Sequence, residues 1–142
     1  MFKSICSTLI IILPHAFLNA SLVIAGEIKP YQVTCYFFKQ GQLILKDKNC
    51  IREGWTWTGG GGVKLRWSDG VVTQIKWGLQ GRGTPVCQSS EETEVDGVCG
   101  KRYELHPTTL RTLRSGELNR YPNAIYCTQL KQKSICSQSQ YP

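Results

Sequence analysis

Residues 63–77 read VKLRWSDGVVTQIKW, in which two runs of alternating apolar and polar side chains flank Ser68-Asp69-Gly70. This alternation predicts a β-hairpin, and the facing of its side chains selects the register. A two-residue loop would set Leu65 opposite Gln74, whereas a three-residue loop with Gly70 in the left-handed conformation makes one face apolar. We therefore predict the second register. Its pairs are Trp67 with Val71, Leu65 with Thr73, and Val63 with Ile75.

The cysteines extend the hairpin pattern to both sides of this stretch. Six of them follow residue 25, and an even number in an exported chain indicates disulfide bonds. With Lys131-Gln132 as a two-residue hairpin loop, Cys127 lies directly opposite Cys136, at a distance that a disulfide spans. Proximity along the chain favours the other two pairs. The predicted disulfides are Cys35–Cys50, Cys87–Cys99 and Cys127–Cys136.

Turn and loop signals divide the rest of the chain. Gln40-Gly41 predicts the turn of another hairpin, and the glycine run 59–62 predicts a flexible turn. The acidic segment 91–96 predicts a solvated loop, residues 101–105 predict a strand, and residues 107–114 fit either a helical turn or a strand. We therefore predict a mainly β fold: a small antiparallel sandwich or barrel built from hairpins and stapled by three disulfides.

The first 25 residues differ in composition from the remainder. They carry one charged residue, Lys3, followed by an apolar run and by small residues that end at Ala25. This pattern is typical of a secretory signal peptide; the alternative is an uncleaved membrane anchor, which Pro14 and an apolar run shorter than about 20 residues disfavour. We therefore predict a signal peptide over residues 1–25, a single disulfide-stabilised β domain over residues 26–142, and a secreted or periplasmic location.

The length of 142 residues and the net charge of +7 bound the class of protein. The length fits one modest domain, and the export signal with its cysteines excludes a cytosolic zinc finger, a transcription factor and a multi-pass membrane protein. Closely spaced cysteine pairs with histidine support do not occur, so we expect no metal and no cofactor. Export argues against nucleic acid as a natural partner in spite of the positive charge. We expect a monomer.

Patterns typical of catalysis are absent from the sequence after residue 25. His106 has no local serine and aspartate arrangement, and no motif sets two carboxylates against each other as a glycosidase requires. The glycine run lacks the lysine and serine or threonine of a phosphate-binding loop. We therefore expect a protein that is not an enzyme. The alternative, a small secreted hydrolase, rests on His106 and Glu104.

Two features are typical of a binding protein. Trp55 and Trp57 lie two residues apart and share one face of a strand, where they stack on a ligand if exposed and fill the core if buried. The polar face of the 63–77 hairpin carries basic side chains that suit an anionic partner, the alternative being an ordinary solvated face. We predict an exported non-catalytic binding protein of the envelope or extracellular space, whose partner is an anionic envelope polymer, a glycan or a secreted protein. The candidate binding face comprises Trp55, Trp57, Lys64, Arg66 and Lys76.

Three stretches resemble small exported bacterial proteins, notably cyanobacterial ones, that have no assigned activity. They are CYFFKQGQL at 35–43, LRWSDGVVT at 65–73, and the cysteine-bearing segment 125–136. The resemblance spans most of the chain after residue 25. It implies a shared structure and no functional site.

Residues 115–121, Ser-Gly-Glu-Leu-Asn-Arg-Tyr, are similar to a loop of the membrane-bound inhibitor family of c-type lysozymes. Members of that family are small exported antiparallel β-barrels that insert a Ser-Gly-x-x-Tyr-like loop into the lysozyme cleft. The loop here has four residues between the glycine and the tyrosine instead of two. The resemblance implies, as an alternative function, inhibition of lysozyme or another secreted hydrolase, with Ser115, Gly116 and Tyr121 in the inhibitor loop.

Overall fold

The computed structural model describes residues 26–80 and 83–138, and within them eight antiparallel strands form a closed barrel. The strands are β1 (Gly26–Lys39), β2 (Gln42–Trp57), β3 (Gly60–Arg66), β4 (Val72–Gly78), β5 (Glu92–Val95), β6 (Val98–Leu105), β7 (Ile125–Leu130) and β8 (Lys133–Gln138). Each strand pairs with the next along the chain, and β1 pairs with β8 to close the barrel. The prediction of a small antiparallel sandwich or barrel is confirmed, and the structure is the barrel.

The hairpin of residues 63–77 has the predicted register. Leu65 lies opposite Thr73, and the Trp67 amide donates to the Val71 carbonyl at 2.9 Å, which closes the three-residue loop. Gly70 takes the left-handed conformation with φ of 88°. The apolar face of the hairpin is buried in the barrel. A slip of one residue would expose this face to water, so its burial selects the observed register.

All three predicted disulfides are present. Cys127 of β7 lies directly opposite Cys136 of β8, with the Cα atoms 4.1 Å apart. Cys35–Cys50 joins β1 to β2 in the barrel interior, and Cys87–Cys99 ties the loop before β5 to β6. Three disulfides are typical of proteins that fold in an oxidising extracellular or periplasmic environment.

The glycine run belongs to a strand, which corrects the prediction of a flexible turn over residues 59–62. Gly60, Gly61 and Gly62 pair with both β2 and β4, and of the run Gly59 alone lies in the turn. Tryptophan rings lie over these glycines on both faces of the sheet. A Cβ atom on Gly61, for example, would come within 2.8 Å of the Trp77 ring. The glycines therefore make room for aromatic rings, a role that composition alone does not reveal.

Residues 92–95 form strand β5, which corrects the prediction of a solvated loop over residues 91–96. Thr93 and Val95 are buried. Glu94, which alternates with them, lies opposite Lys76 of β4 on the outer wall, with the Lys76 Nζ atom 3.5 Å from its carboxylate. The acidic residues thus occupy the outward positions of a strand that alternates in the ordinary way.

Apolar side chains fill the barrel interior at the end that carries the short turns, those between β1 and β2, β3 and β4, β5 and β6, and β7 and β8. Trp67 and Thr73 close this end, with the indole Nε1 donating to the threonine hydroxyl at 3.1 Å. The buried cluster consists of Val33, Cys35, Cys50, Val63, Leu65, Trp67, Ile75, Val95, Leu130 and Ile135.

A second core lies on the outer wall, beneath the connection of residues 106–124 between β6 and β7. Leu110 of this connection packs against a buried cluster formed by Tyr36, Leu105, Ile125, Cys127 and Cys136. Burial raises the pKa of the Tyr36 hydroxyl above its ordinary value. Residues 107–109 form a single turn, closed by a hydrogen bond of 3.1 Å from the Leu110 amide to the His106 carbonyl, and Thr112 makes a single bridge to Leu105, so of the two alternatives for segment 107–114 the structure has the single turn and no strand. The predicted strand at 101–105 is confirmed within β6.

The predicted signal peptide, residues 1–25, lies outside the described residues. Within the two described ranges, we find no helix with the length and apolar character that crossing a membrane requires.

Candidate ligand site in the barrel mouth

A cavity of about 230 Å³ lies in the barrel toward the end opposite the short turns. We call it the mouth cavity. Its lining comes from seven of the eight strands, β2 to β8. Eight-stranded barrels are just wide enough to be filled by side chains or to hold one small ligand. This volume lies somewhat below the range of roughly 300 Å³ and more that drug-sized ligands occupy, so the mouth cavity suits a smaller molecule.

One wall of the mouth cavity is apolar. Val63 of β3 lies directly opposite Ile75 of β4, and both line the cavity together with Trp77, the next inward residue of β4. The Trp77 ring lies against Gly61, where no side chain competes for the space. The glycine therefore fixes where the largest apolar surface of the cavity sits.

The opposite side of the mouth cavity is polar. Ser137 of β8 lies opposite Tyr126 of β7, and both line the cavity. The Ser137 hydroxyl accepts a hydrogen bond of 2.8 Å from Nη1 of Arg52, which reaches it from β2. Deeper in the lumen the buried hydroxyls of Thr93 and Thr128 hydrogen-bond to each other.

Two arginines enter the mouth cavity from different strands. Arg52 lies opposite the buried Leu65, and Arg102 lies opposite the buried Thr128, so the register turns both arginines inward. Among the described residues that line the cavity there is no carboxylate. Glu104, two residues along β6 and opposite Tyr126, is on the same inward face and approaches the Nε atom of Arg102 to 3.8 Å, in a pair whose arginine side chain is 45% exposed. Arg52, Arg102 and Glu104 together leave this end of the barrel with a net positive charge.

The predicted binding face lies on the outer wall of β2, β3 and β4, and its members are Trp55, Trp57, Lys64, Arg66 and Lys76. Lys64 forms an ion pair of 2.9 Å with Glu53, whose pKa this hydrogen bond lowers, and Lys76 pairs with β5 as described above. Trp55 and Trp57 share one face, as predicted. They are half-buried over the glycines of β3, outside the barrel interior, and Arg66 is exposed.

The predicted inhibitor loop lies within the connection 106–124. Ser115 and Gly116 are exposed in a turn of this connection, which we call the tip. The Arg111 guanidinium donates to both carboxylate oxygens of Glu117, at 2.9 and 3.0 Å, and the Arg114 amide donates to the same carboxylate at 2.7 Å. Hydrogen bonds from Arg111 and from the Arg114 amide lower the pKa of Glu117 from 4.5 to about 2. The tip is therefore exposed, and the hydrogen bonds of Glu117 with Arg111 and Arg114 hold it in place.

His106 and Tyr121 support the same connection from inside. The Nδ1 atom of His106 accepts hydrogen bonds from the amides of Thr108 and Thr109, each at 3.2 Å. The half-buried Tyr121 ring packs edge-on against the imidazole, with the ring centroids 4.5 Å apart. His106 therefore stabilises the turn of residues 107–109 by accepting these two hydrogen bonds.

A larger groove of about 660 Å³ runs along the outer wall between the connection 106–124 and the turn of β7 and β8. Phe38, Tyr103 and Leu110 form its floor beside Lys101 and Lys131. These three side chains pack against the second core, so the groove is the outer surface of that core. The mouth cavity is smaller and more enclosed, and seven strands contribute to its lining, so we take it as the candidate site.

The sequence did not single out Arg52, Arg102, Tyr126 or Ser137. Their signal is the inward position of a polar side chain in an otherwise apolar face, and this signal is readable only when the register with both neighbouring strands is known. For the hairpin of residues 63–77 that register was accessible from a short loop. For β6, which is followed by a connection of 19 residues, it was not.

No protein-family model, curated protein or solved structure matches this chain.

Proposed function

We propose that this chain is an exported, non-catalytic binding protein that holds a small ligand in the mouth cavity. The observation that carries the proposal is the convergence of side chains from seven strands on one cavity at the end of the barrel that the core leaves unfilled. A closed barrel is a rigid frame, so the cavity is preformed and binding costs little ordering of the chain.

Export is supported by the composition of residues 1–25 and by the three disulfides. If residues 1–25 are a cleaved signal peptide, the protein recovered from outside the cytoplasm begins at Gly26. Intact-mass analysis of that fraction tests this directly. A chain that still begins at Met1 would identify the segment as a retained anchor.

Binding is tested with three probes that share a benzene ring and differ in charge: benzoate, benzyl alcohol and benzylamine. We expect at least one of them to raise the Tm in a concentration-dependent way, because a ligand that binds only the folded state stabilises it. Trp77→Ala removes most of the apolar wall and is expected to weaken the affinity at least tenfold. Trp55→Ala, the same change on the outer wall, is the matched control and is expected to alter the affinity less than twofold. Equal losses in the two variants, or no binding by any probe, would contradict the proposal.

We propose inhibition of a secreted hydrolase as the second candidate function. The observation that favours it is the exposed tip at Ser115 and Gly116, which the Arg111–Glu117 pair holds in place. An inhibitor gains affinity from a protruding loop that is ordered before it binds, because less conformational entropy is lost.

A c-type lysozyme and its cell-wall substrate test this candidate. We expect the barrel to lower the rate of lysis, and Ser115→Arg to abolish the effect by blocking insertion of the tip. Ser68→Arg, in the turn at the opposite end of the barrel, is the matched control and is expected to inhibit like the unchanged protein. An undiminished lysis rate at an excess of the barrel would remove this candidate.

A further inference from the structure

We propose that the mouth cavity is selective for a small organic anion with an apolar body. In this inference, which rests on the function proposed above, the anionic group lies between Arg52 and Arg102 and the body lies against Val63, Ile75 and Trp77. A small aromatic or aliphatic carboxylate has this chemistry.

The topology of the barrel sets the two arginines against each other. Arg52 belongs to β2 and Arg102 to β6, and in a closed ring of eight strands these two are four strands apart in either direction. The two guanidinium groups therefore enter from opposite sides of the lumen. An anion placed between them contacts both, which single basic residues on an outer wall do not achieve.

The charge of the lining favours an anion over a neutral or cationic molecule. Two guanidinium groups line the cavity and Glu104 pairs with Arg102, so these three side chains leave a net positive charge that attracts an anion. A carboxylate ligand balances this charge and accepts two parallel hydrogen bonds from a guanidinium. Arg52 is partly buried and is oriented by the Ser137 hydroxyl, so its position is set before a ligand arrives.

The apolar wall makes an organic anion a better ligand than an inorganic one. Val63, Ile75 and Trp77 form one continuous surface on β3 and β4. Phosphate or sulfate would leave this surface in contact with water, whereas a ring or short chain would bury it at a gain of roughly 25 cal/mol per Å². The ligand therefore has a charged end and an apolar end.

Calorimetric titration with the three ring probes and with inorganic phosphate tests the selectivity on the full barrel. We expect benzoate to bind at least tenfold more tightly than benzyl alcohol, benzylamine or phosphate. Because the Arg102 side chain is 45% exposed, the Arg102→Gln variant is expected to fold. It should weaken the binding of benzoate at least tenfold and the binding of benzyl alcohol less than twofold. Arg66→Gln makes the same change of charge on the outer wall and is expected to alter benzoate binding less than twofold.

The outcomes separate this inference from the function on which it rests. If benzyl alcohol binds as tightly as benzoate and the binding still depends on Trp77, the cavity is a ligand site but the proposed selectivity for anions is wrong. If Arg102→Gln and Arg66→Gln weaken benzoate equally, the effect is one of net charge and the inference fails. If phosphate binds as tightly as benzoate, the apolar wall plays no part and the inference also fails. If no probe binds, the proposed function falls together with the inference.

Discussion

Single carboxylates tie distant parts of the chain together. Asp47 of β2 is buried and accepts hydrogen bonds from the amides of Asn49, at 2.9 Å, and of Ser68, at 2.7 Å, so it links the first hairpin to the turn between β3 and β4. Burial raises the pKa of Asp47, but the hydrogen bonds from Ser68 and Asn49 lower it by more, and the pKa lies below its ordinary value. Glu117 acts over a shorter range: it accepts hydrogen bonds from Arg111 and from the Arg114 amide within the connection 106–124, and these lower its pKa.

The pKa of Glu117 predicts a dependence of stability on acid. Because the pKa in the folded protein is about 2, against 4.5 ordinarily, the ionised carboxylate stabilises the fold above about pH 4.5, and this stabilisation is lost as the pH falls toward 2. Glu117→Gln is therefore expected to lower the free energy of unfolding at pH 7 and to have progressively less effect between pH 4.5 and pH 2. Urea unfolding at several pH values measures this difference. Glu27→Gln, at an exposed position of β1, is the control; an effect of Glu117→Gln that does not change with pH would contradict the assignment.

The contact between Gly62 and Trp55 predicts a steric coupling. A Cβ atom on Gly62 would collide with the Trp55 ring, so Gly62→Ala is expected to lower the stability by about 1–3 kcal/mol through overpacking. The cost should be smaller in a Trp55→Ala background, where the ring is gone. A double-mutant cycle measured by urea unfolding tests the coupling. If the cost of Gly62→Ala is the same in both backgrounds, the ring does not lie over the glycine.

At the scale of strands and hairpins, the sequence predicted the strand register only where a short loop joins the two strands. The register of the 63–77 hairpin and the pairing of Cys127 with Cys136 followed from loops of three and two residues, and both are confirmed. Strand β5 was missed because its outward glutamates dominate the composition of a four-residue element. The glycine run was missed because its role depends on tryptophans in β2 and β4.

The Cys127–Cys136 disulfide predicts a local stability effect. It closes a loop with a sequence separation of 9 and lies in the second core beneath the connection 106–124. Replacing both cysteines by serine is expected to lower the free energy of unfolding by about 2–3 kcal/mol, because the unfolded chain is no longer constrained. The two serine hydroxyls, placed in an apolar cluster, lower the free energy of unfolding by an additional amount. Denaturant unfolding of the paired variant checks the value. Replacing both by alanine separates the two contributions, and an unchanged midpoint for both variants would show that the bond carries no stability.

At the scale of the whole molecule, closure of the barrel creates the candidate site. Arg52 and Arg102 are 50 positions apart in the chain, and neither belongs to a motif. Both line the mouth cavity because β1 pairs with β8 and the ring places β2 opposite β6. The sequence predicted the β class, the hairpins and the disulfides from local signals, but the ring order depends on pairing between the two ends of the domain, which no local signal encodes.

Reduction of the three disulfides is expected to unfold the barrel as a unit. Few aliphatic side chains fill its interior, and the two disulfides in the cores are themselves part of the buried surface. We expect the protein isolated from its native compartment to contain no free thiol among these six cysteines, and its circular dichroism signal for β structure to collapse on treatment with dithiothreitol. Six reactive thiols in folded, isolated protein would contradict the assignment to an oxidising compartment.

The most direct test of the ligand site uses the indole N–H signals of the four tryptophans in an NMR titration with benzoate. Trp77 lines the mouth cavity, Trp67 closes the filled end of the barrel, and Trp55 and Trp57 lie on the outer wall. We predict that the Trp77 signal shifts in a saturable manner while those of Trp55 and Trp57 stay within experimental error. Saturable shifts at Trp55 or Trp57 with an unmoved Trp77 would place binding on the outer wall and contradict this account.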